Sequence, residues 1–274
     1  VYGIFNGTSN FILSTMDKEN KNFKDVLLIA KKLGYAESNP LSDLNGDDVS
    51  AKLKILSSLC FNSFINNNIH VEGISSIDKF DIDNANKLGY KIKLLGFSEI
   101  INNRIYQRVH PTFINKDSYI ASIDGVLNAV IVDGEPVGQN VIQGEGAGAK
   151  ATTSALISDI SSILRGNIKF PFSISSKERK RLVYKDISER SFSAYLRFDV
   201  LDKPGVLSNI TSIFSKFKVS IKRLIQNPSS SKKLSSIVII THSSEDKFLN
   251  KILKQTEKKS YVIKKPKLIR IDTN

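Results

Sequence analysis

Residues 30–52 read AKKLGYAESNPLSDLNGDDVSAK and set the frame for everything around them. The stretch holds four carboxylates, Glu37, Asp43, Asp47 and Asp48, and then Lys52, four residues after Asp48. Gly34, Pro40 and Gly46 punctuate the backbone between the charges. Gly34 suits the left-handed position just past a helix, so a helix is expected to end at Leu33. A turn follows through Asn39 and Pro40, and a second helix starts just after Gly46. The pattern is helix, acidic loop, helix. On the second helix Asp48 and Lys52 are i and i+4 and share a face, which continues through Ile55, Leu56 and Leu59. Two readings of Lys52 stand side by side. It is a solvated ion-pair partner worth a few tenths of a kcal/mol, its stem lying on apolar surface. Or it is a partly buried lysine that exchanges protons beside a carboxylate, while the other acids hold a ligand's ammonium.

Upstream, GIFNGTSNFILSTM (3–16) begins with the loop Asn6-Gly7-Thr8 and continues as an apolar helix capped by Thr8 or Asn10. Such a loop can present backbone N–H groups to an anion or polar ligand. Phe23, Val26, Leu27, Ala30 and Leu33 recur at helical spacing. Downstream, the second helix runs over about 47–61, and Cys60 in its SSLCF segment is expected to pack. A polar stretch, 62–83, precedes a helix near 81–88. KIKLLGFSEI, RIYQRVHPTFI and YIASIDGVLNAVIVDGEPVGQNVIQGEG then read as strands, with a hairpin turn at Asp133-Gly134-Glu135-Pro136. They form a mixed sheet with helices on one face, an α+β fold. Gly144-Glu145-Gly146-Ala147-Gly148 follows a strand and leads into a helix over 152–164. It does not meet the dinucleotide fingerprint, because no βαβ unit with an acidic residue about 20 positions on follows it.

Residues 166–192, with Pro171, a serine cluster and the basic run Lys177-Glu178-Arg179-Lys180-Arg181, read as a linker. From Ser193 onward the order is βαββαβ, a ferredoxin-like split-βαβ unit. Two domains joined by a linker result: 1–165, the linker 166–192, and 193–274.

The chain has 274 residues and a net charge of +13. A single cysteine excludes an intrachain disulfide and points to a reducing compartment, the cytoplasm. No run of about 18 apolar residues suggests a membrane span. The basic excess is concentrated at 177–181 and 247–270, without aromatic interleaving, so it reads as solvated surface and no nucleic-acid partner is expected. His70, His110 and His242 have no metal-ligand spacing. Val1 stands mid-motif, and the chain is expected to be a fragment without its upstream part.

The run A-x3-G-Y-A-E-x2-P-x2-D-L-x-G-x-D-x3-K resembles the signature of homoserine dehydrogenases at Ala30, Gly34, Tyr35, Glu37, Pro40, Asp43, Gly46, Asp48 and Lys52. The opening G-I-x-N-G-T-x-N, the R-V-H-P at Arg108–Pro111 and the later G-x-G-A-G-x3-T are similar to that family's motifs. LRFDVLDKPGVLSNIT resembles the start of an ACT domain, a small amino-acid-binding module. The resemblance implies a catalytic, substrate-binding and dimerisation domain over 1–165, a linker over 166–192 and an ACT regulatory domain over 193–274. It also implies that an N-terminal nucleotide-binding domain is missing and that the fragment alone is inactive. It implies reversible hydride transfer, with NADP or NAD, between L-homoserine and L-aspartate 4-semialdehyde in threonine, methionine and isoleucine biosynthesis. Lys52 and Asp48 take catalytic roles; Glu37, Asp43, Tyr35, Gly7 and Thr8 bind substrate; Gly148 and Asn6 meet the cofactor. Asp202, Gly205 and Asn209 hold an effector such as threonine, and the enzyme is a homodimer or homotetramer. The alternative is a non-catalytic amino-acid-binding regulatory fragment.

Overall fold

The computed structural model describes residues 1–63, 65, 68–167, 175, 177–228 and 234–272. It divides into two units, 1–111 with 115–185, and 112–114 with 186–274.

In the first unit the acidic stretch lies between α2 (Phe23–Lys32) and α4 (Asp47–Phe61), with the helix boundaries where the glycines put them. Gly34 and Gly46 both take left-handed backbone angles, φ +77° and +89°. The loop between them is more ordered than a turn: Pro40 opens a short helix, α3 (Leu41–Asn45), which ends at Gly46. Two further elements were not expected. Tyr2–Ile4 form a strand, β1, and the cap of α1 (Gly7–Glu19) is Asn6, whose Oδ1 accepts from the Ser9 amide. Asn6 wins over Thr8 and Asn10 because its own backbone is extended while theirs is helical.

The remaining elements are β2 (His70–Val71), α5 (Lys79–Lys87), β3 (Tyr90–Ile101), β4 (Arg104–Asn115), β5 (Leu127–Gly134), β6 (Gly138–Glu145), α6 (Ala149–Leu164) and β7 (Val183–Lys185). The sheet order is β6-β5-β1-β3-β4, so β1 is a central strand, antiparallel to both β3 and β5. β2 and β7 run parallel to β4, which makes the sheet mixed. α1, α4 and α5 pack on β3. α4 turns Val49 and Leu53 into the core, whereas Ile55, Leu59 and Cys60 are exposed. Cys60 thus does not pack as expected: the helix has two apolar stripes, and the core takes the one that lets buried Ser57 accept from Gln107.

Residues 183–185, expected in the linker, pair with Arg104–Tyr106 as β7, and Pro171 with part of the serine cluster lies outside the described residues. The second unit contains β8 (Ser191–Leu201), α7 (Val206–Lys216), β9 (Ile221–Pro228), β10 (Leu234–Thr241), β11 (Ser244–Glu245), α8 (Asp246–Glu257) and β12 (Lys267–Ile271). The order β12-β8-β10-β9, antiparallel throughout, is the ferredoxin-like arrangement of the expected βαββαβ. Its core joins Leu196, Phe198 and Val200 of β8 to Ile210 and Phe214 of α7 and to Leu249 and Ile252 of α8. Among the described residues no helix is long and apolar enough to cross a membrane.

Candidate active site

Asn6 is the residue from which the site is built. Its Nδ2 donates one hydrogen to Asp43 Oδ1 at 2.8 Å and the other to Asp48 Oδ2 at 2.9 Å. The Ser9 hydroxyl donates to the Asp43 carbonyl at 2.8 Å. The N-terminus of α1 therefore fixes two carboxylates, one from α3 and one from α4, side by side. Without the amide between them, two anions so close would repel.

Lys52 completes the group. Its Nζ donates to Asp48 Oδ2 at 2.8 Å and to the Phe5 carbonyl at 3.0 Å. An ammonium has three hydrogens, so one remains to face outward. The Lys52 side chain is 43% exposed and that of Asp48 28%, which places the pair at a cavity wall, neither sealed in the core nor free in water. At the same cleft the Thr8 hydroxyl donates to the Tyr35 carbonyl at 2.6 Å, and the Tyr35 ring meets Phe11 edge-on at 5.0 Å. Glu37 is exposed, and its carboxylate makes no hydrogen bond or ion pair with the described residues.

These groups border one cleft of about 580 Å³. Lys52, Asp48, Glu37, Asp43, Tyr35, Gly7, Thr8, Gly148 and Asn6, the expected residues of this unit, all line it. Asn6 also has a structural task in the site, because both its side-chain hydrogens and its oxygen bond the protein. Seven other lining residues were not among the expected site residues: Leu33, Gly34, Val126, Asn128, Glu145, Gly146 and Ala147. Asn128 is the most informative of them. Its Oδ1 is buried and meets no donor among the described residues, and a Cβ on Gly146 would lie 1.8 Å from its Nδ2. That approach gives Gly146 a packing reason to be glycine. No spacing rule could have found Asn128, because it sits on a strand among apolar neighbours.

The electrostatics decide between ligand classes. The chain carries +13, yet this cleft sets Glu37, Asp43, Asp48 and Glu145 against the single cation Lys52. Such a cleft repels phosphate and carboxylate near the acids and attracts an ammonium. Gly148, at φ +103°, borders the same space, and nothing lies within 4 Å of where its Cβ would be. The bare backbone there leaves room for a flat ring. Among the described residues no group of three or more His, Cys, Asp or Glu is arranged to hold a metal.

In the second unit a cavity of about 390 Å³ is lined by Asp202, Gly205, Gln226 and Leu207 among others. The Asp202 carboxylate accepts from Gln226 Nε2 at 3.4 Å. Gly205 opens α7 at φ +86°. Asn209, exposed on the first turn of α7, is not part of the lining.

The homoserine dehydrogenase family model matches residues 1–161, and an AHAS small subunit-like ACT domain model matches 196–264. A homoserine dehydrogenase of Neisseria gonorrhoeae is 38% identical over the whole of this chain, which spans 64% of that relative's length. The crystal structure of a homoserine dehydrogenase from Thiobacillus denitrificans superposes with a TM-score of 0.89 at 35% identity, covering 99% of this chain and 63% of that one. A hyperthermophilic archaeal homoserine dehydrogenase mutant in complex with NADPH matches 64% of this chain and 48% of its own, with a TM-score of 0.50 and 25% identity.

Proposed function

The chain belongs to the homoserine dehydrogenase family, and we propose that it supplies the substrate cleft of an enzyme that interconverts L-homoserine and L-aspartate 4-semialdehyde with NADP or NAD. Amino-acid biosynthesis follows from that reaction, leading to threonine, methionine and isoleucine. The observation that carries the reading is the pairing of Lys52 with Asp48 at the wall of an acidic cleft.

The nicotinamide supplies the hydride chemistry when bound. Of this chain's residues, Gly148 fits the ring's flank and is the residue we assign to it. Glu37 and Asp43 hold the substrate ammonium, and Tyr35, Gly7 and Thr8 shape the remaining space. Lys52 handles the hydroxyl proton. In the oxidation of homoserine it must arrive neutral, with two N–H groups and one lone pair. Those two donors suffice for the bonds to Asp48 and the Phe5 carbonyl, so the lone pair faces the cleft and takes the proton. In the reverse direction the ammonium's third hydrogen returns to the new alkoxide. The same two anchors serve both states, so Lys52 need not move between them.

A charge-assisted contact to an ammonium contributes about 1.5–3 kcal/mol. Glu37→Ala in the complete protein is therefore expected to raise KM for homoserine about tenfold or more with kcat little changed. The assay is NAD(P)H formation at varied homoserine. An unchanged KM removes Glu37 from the ammonium site, and absence of any homoserine-dependent NAD(P)H formation by the wild-type protein defeats the assignment.

The cavity at Asp202 and Gly205 supports a second, regulatory reading: an ACT domain, proposed over 193–274, that senses an amino acid such as threonine. Calorimetry on the 274-residue chain is expected to show threonine binding that Asp202→Ala weakens; equal heats for both proteins remove Asp202 from the site. Binding of an amino acid with no binding of dinucleotide favours the regulatory fragment as this chain's own activity. A cytoplasmic homodimer or homotetramer is the assembly we propose. Exposed Val137 and Ile142 on the β5–β6 hairpin, and Leu156, Ile157 and Ile160 on α6, supply apolar surface for it.

A further inference from the structure

Lys93 lies on β3, its side chain 1% exposed, and none of the chemistry above uses it. All three of its ammonium hydrogens find acceptors: Asn10 Oδ1 at 3.1 Å, Asp124 Oδ1 at 2.8 Å and the Ile123 carbonyl. Asn10, 2% exposed on α1, spends its amide on the same segment, donating to the Ile123 carbonyl at 3.0 Å and the Leu127 carbonyl at 3.2 Å. One turn on, Ser14 Oγ accepts from the Gly125 amide at 3.1 Å. Helix α1 and the segment 123–127 are thus joined by one continuous polar network centred on a buried cation.

The two elements joined in this way both line the cleft. Asn6, Gly7 and Thr8 at the head of α1 line it, and so do Val126 and Asn128. At the rim they touch: a Cβ on Gly7 would lie 2.7 Å from the Val126 carbonyl. We infer that Lys93 is a positioning residue of the substrate cleft, its ammonium pinning α1 to the 123–127 segment and so fixing how far apart Asn6 with its two acids and Asn128 stand. The inference rests on the reading of that cleft as the homoserine site.

The charge of Lys93 matters as well as its length. Burial pushes its pKa below the ordinary lysine range, against the hydrogen bond and charge of Asp124. Burial would raise Asp124, but Lys93, Lys18 and Lys91 hold its carboxyl below the usual carboxylate range. The charged groups around the pair are Asp124 itself, Lys18 and Asp17 from α1, and Lys91 from β3. As pH rises through the lowered pKa, the folded protein holds fewer protons than the unfolded chain. This group's contribution to stability therefore rises across that window, up to the unfolded lysine value. The clamp meanwhile loses its ion pair and one donor. Activity and stability move in opposite directions, which a residue that only filled the core would not produce.

The test measures KM for homoserine and dinucleotide Kd across pH 7–10 in the complete protein, for wild type, Lys93→Met and Asp124→Asn. Lys93→Met is expected to raise KM at neutral pH by about tenfold or more and to leave dinucleotide Kd within about twofold. Asp124→Asn removes the partner that holds the proton on Lys93, so its alkaline rise in KM begins at lower pH than in wild type. Amide exchange is followed in the same proteins. Ser9 and Asn10 on α1, and Asn128 on β5, are expected to lose protection together in Asp124→Asn as pH rises. A Lys93→Met protein that folds with wild-type KM overturns the inference. So does an Asp124→Asn profile that coincides with wild type, which decides the matter if Lys93→Met fails to fold. If the wild-type protein does not turn homoserine over, the exchange result still judges the clamp, and it is the enzymatic reading that has failed.

Discussion

Lys52→Ala in the complete protein is expected to lower kcat for homoserine oxidation by about a thousandfold, within the range that a positioned acid–base group contributes, while dinucleotide affinity stays within about twofold. The expectation follows from the two bonds that hold the lysine. Asp48 and the Phe5 carbonyl accept two of its hydrogens, so the third position is aimed by the fold and not by the substrate. Alanine removes the only cation among the described residues that line the cleft and leaves Glu37, Asp43, Asp48 and Glu145 uncompensated except by the ligand's own ammonium. Homoserine binding should therefore persist or tighten while turnover collapses. Lys52→Arg serves as the control: guanidinium stays protonated and cannot accept the hydroxyl proton, so it too should be slow. Retention of more than about a tenth of wild-type kcat by the alanine variant would take Lys52 out of the reaction.

Gly73→Ala should cost about 3 kcal/mol of stability, a melting point lower by roughly 6–12 °C, because the added methyl meets main chain and not a flexible side chain. The Cβ would fall 2.2 Å from the Leu44 carbonyl oxygen and 2.6 Å from Asn45 Cα. Both atoms belong to α3, the short helix that carries Asp43. The Ile74 amide donates to that same Leu44 carbonyl at 2.8 Å, so the clash also spoils a backbone hydrogen bond. Moving α3 aside pulls Asp43 from the Asn6 amide, and the folded fraction should show a raised KM for homoserine with kcat less affected. Thermal denaturation and steady-state kinetics on the same preparation check both halves. A melting point within a degree or two of wild type contradicts the argument.

The second unit was legible almost element by element, because its strands are rich in aromatic, leucine and β-branched residues and its helix α7 carries a clean apolar face after an obvious turn. The acidic loop was legible for a related reason: Gly34 and Gly46 each mark a backbone angle that other residues resist. What escaped is equally instructive. Tyr2–Ile4 is too short to show alternation, and β1 becomes a strand only because β3 and β5 flank it. Cys60 sits on a helix with two apolar stripes, and sequence does not say which one the core will choose. Lys93 stands in the alternating run Lys91-Ile92-Lys93-Leu94, where it reads as the wet face of a strand; its partners lie 83 and 31 positions away. Asn128 likewise draws its meaning from Gly146, which only the β5–β6 pairing brings to it.

The Asn6 amide, with both hydrogens committed, means that Asp43 and Asp48 are locked in place before any ligand arrives. Little reorganisation entropy is then lost on binding, and selectivity becomes a matter of rejection. An analogue that lacks the α-amino group enters a crowd of negative charge with Lys52 alone to offset it, so a hydroxy acid of the same length is expected to be turned away by repulsion and not by size.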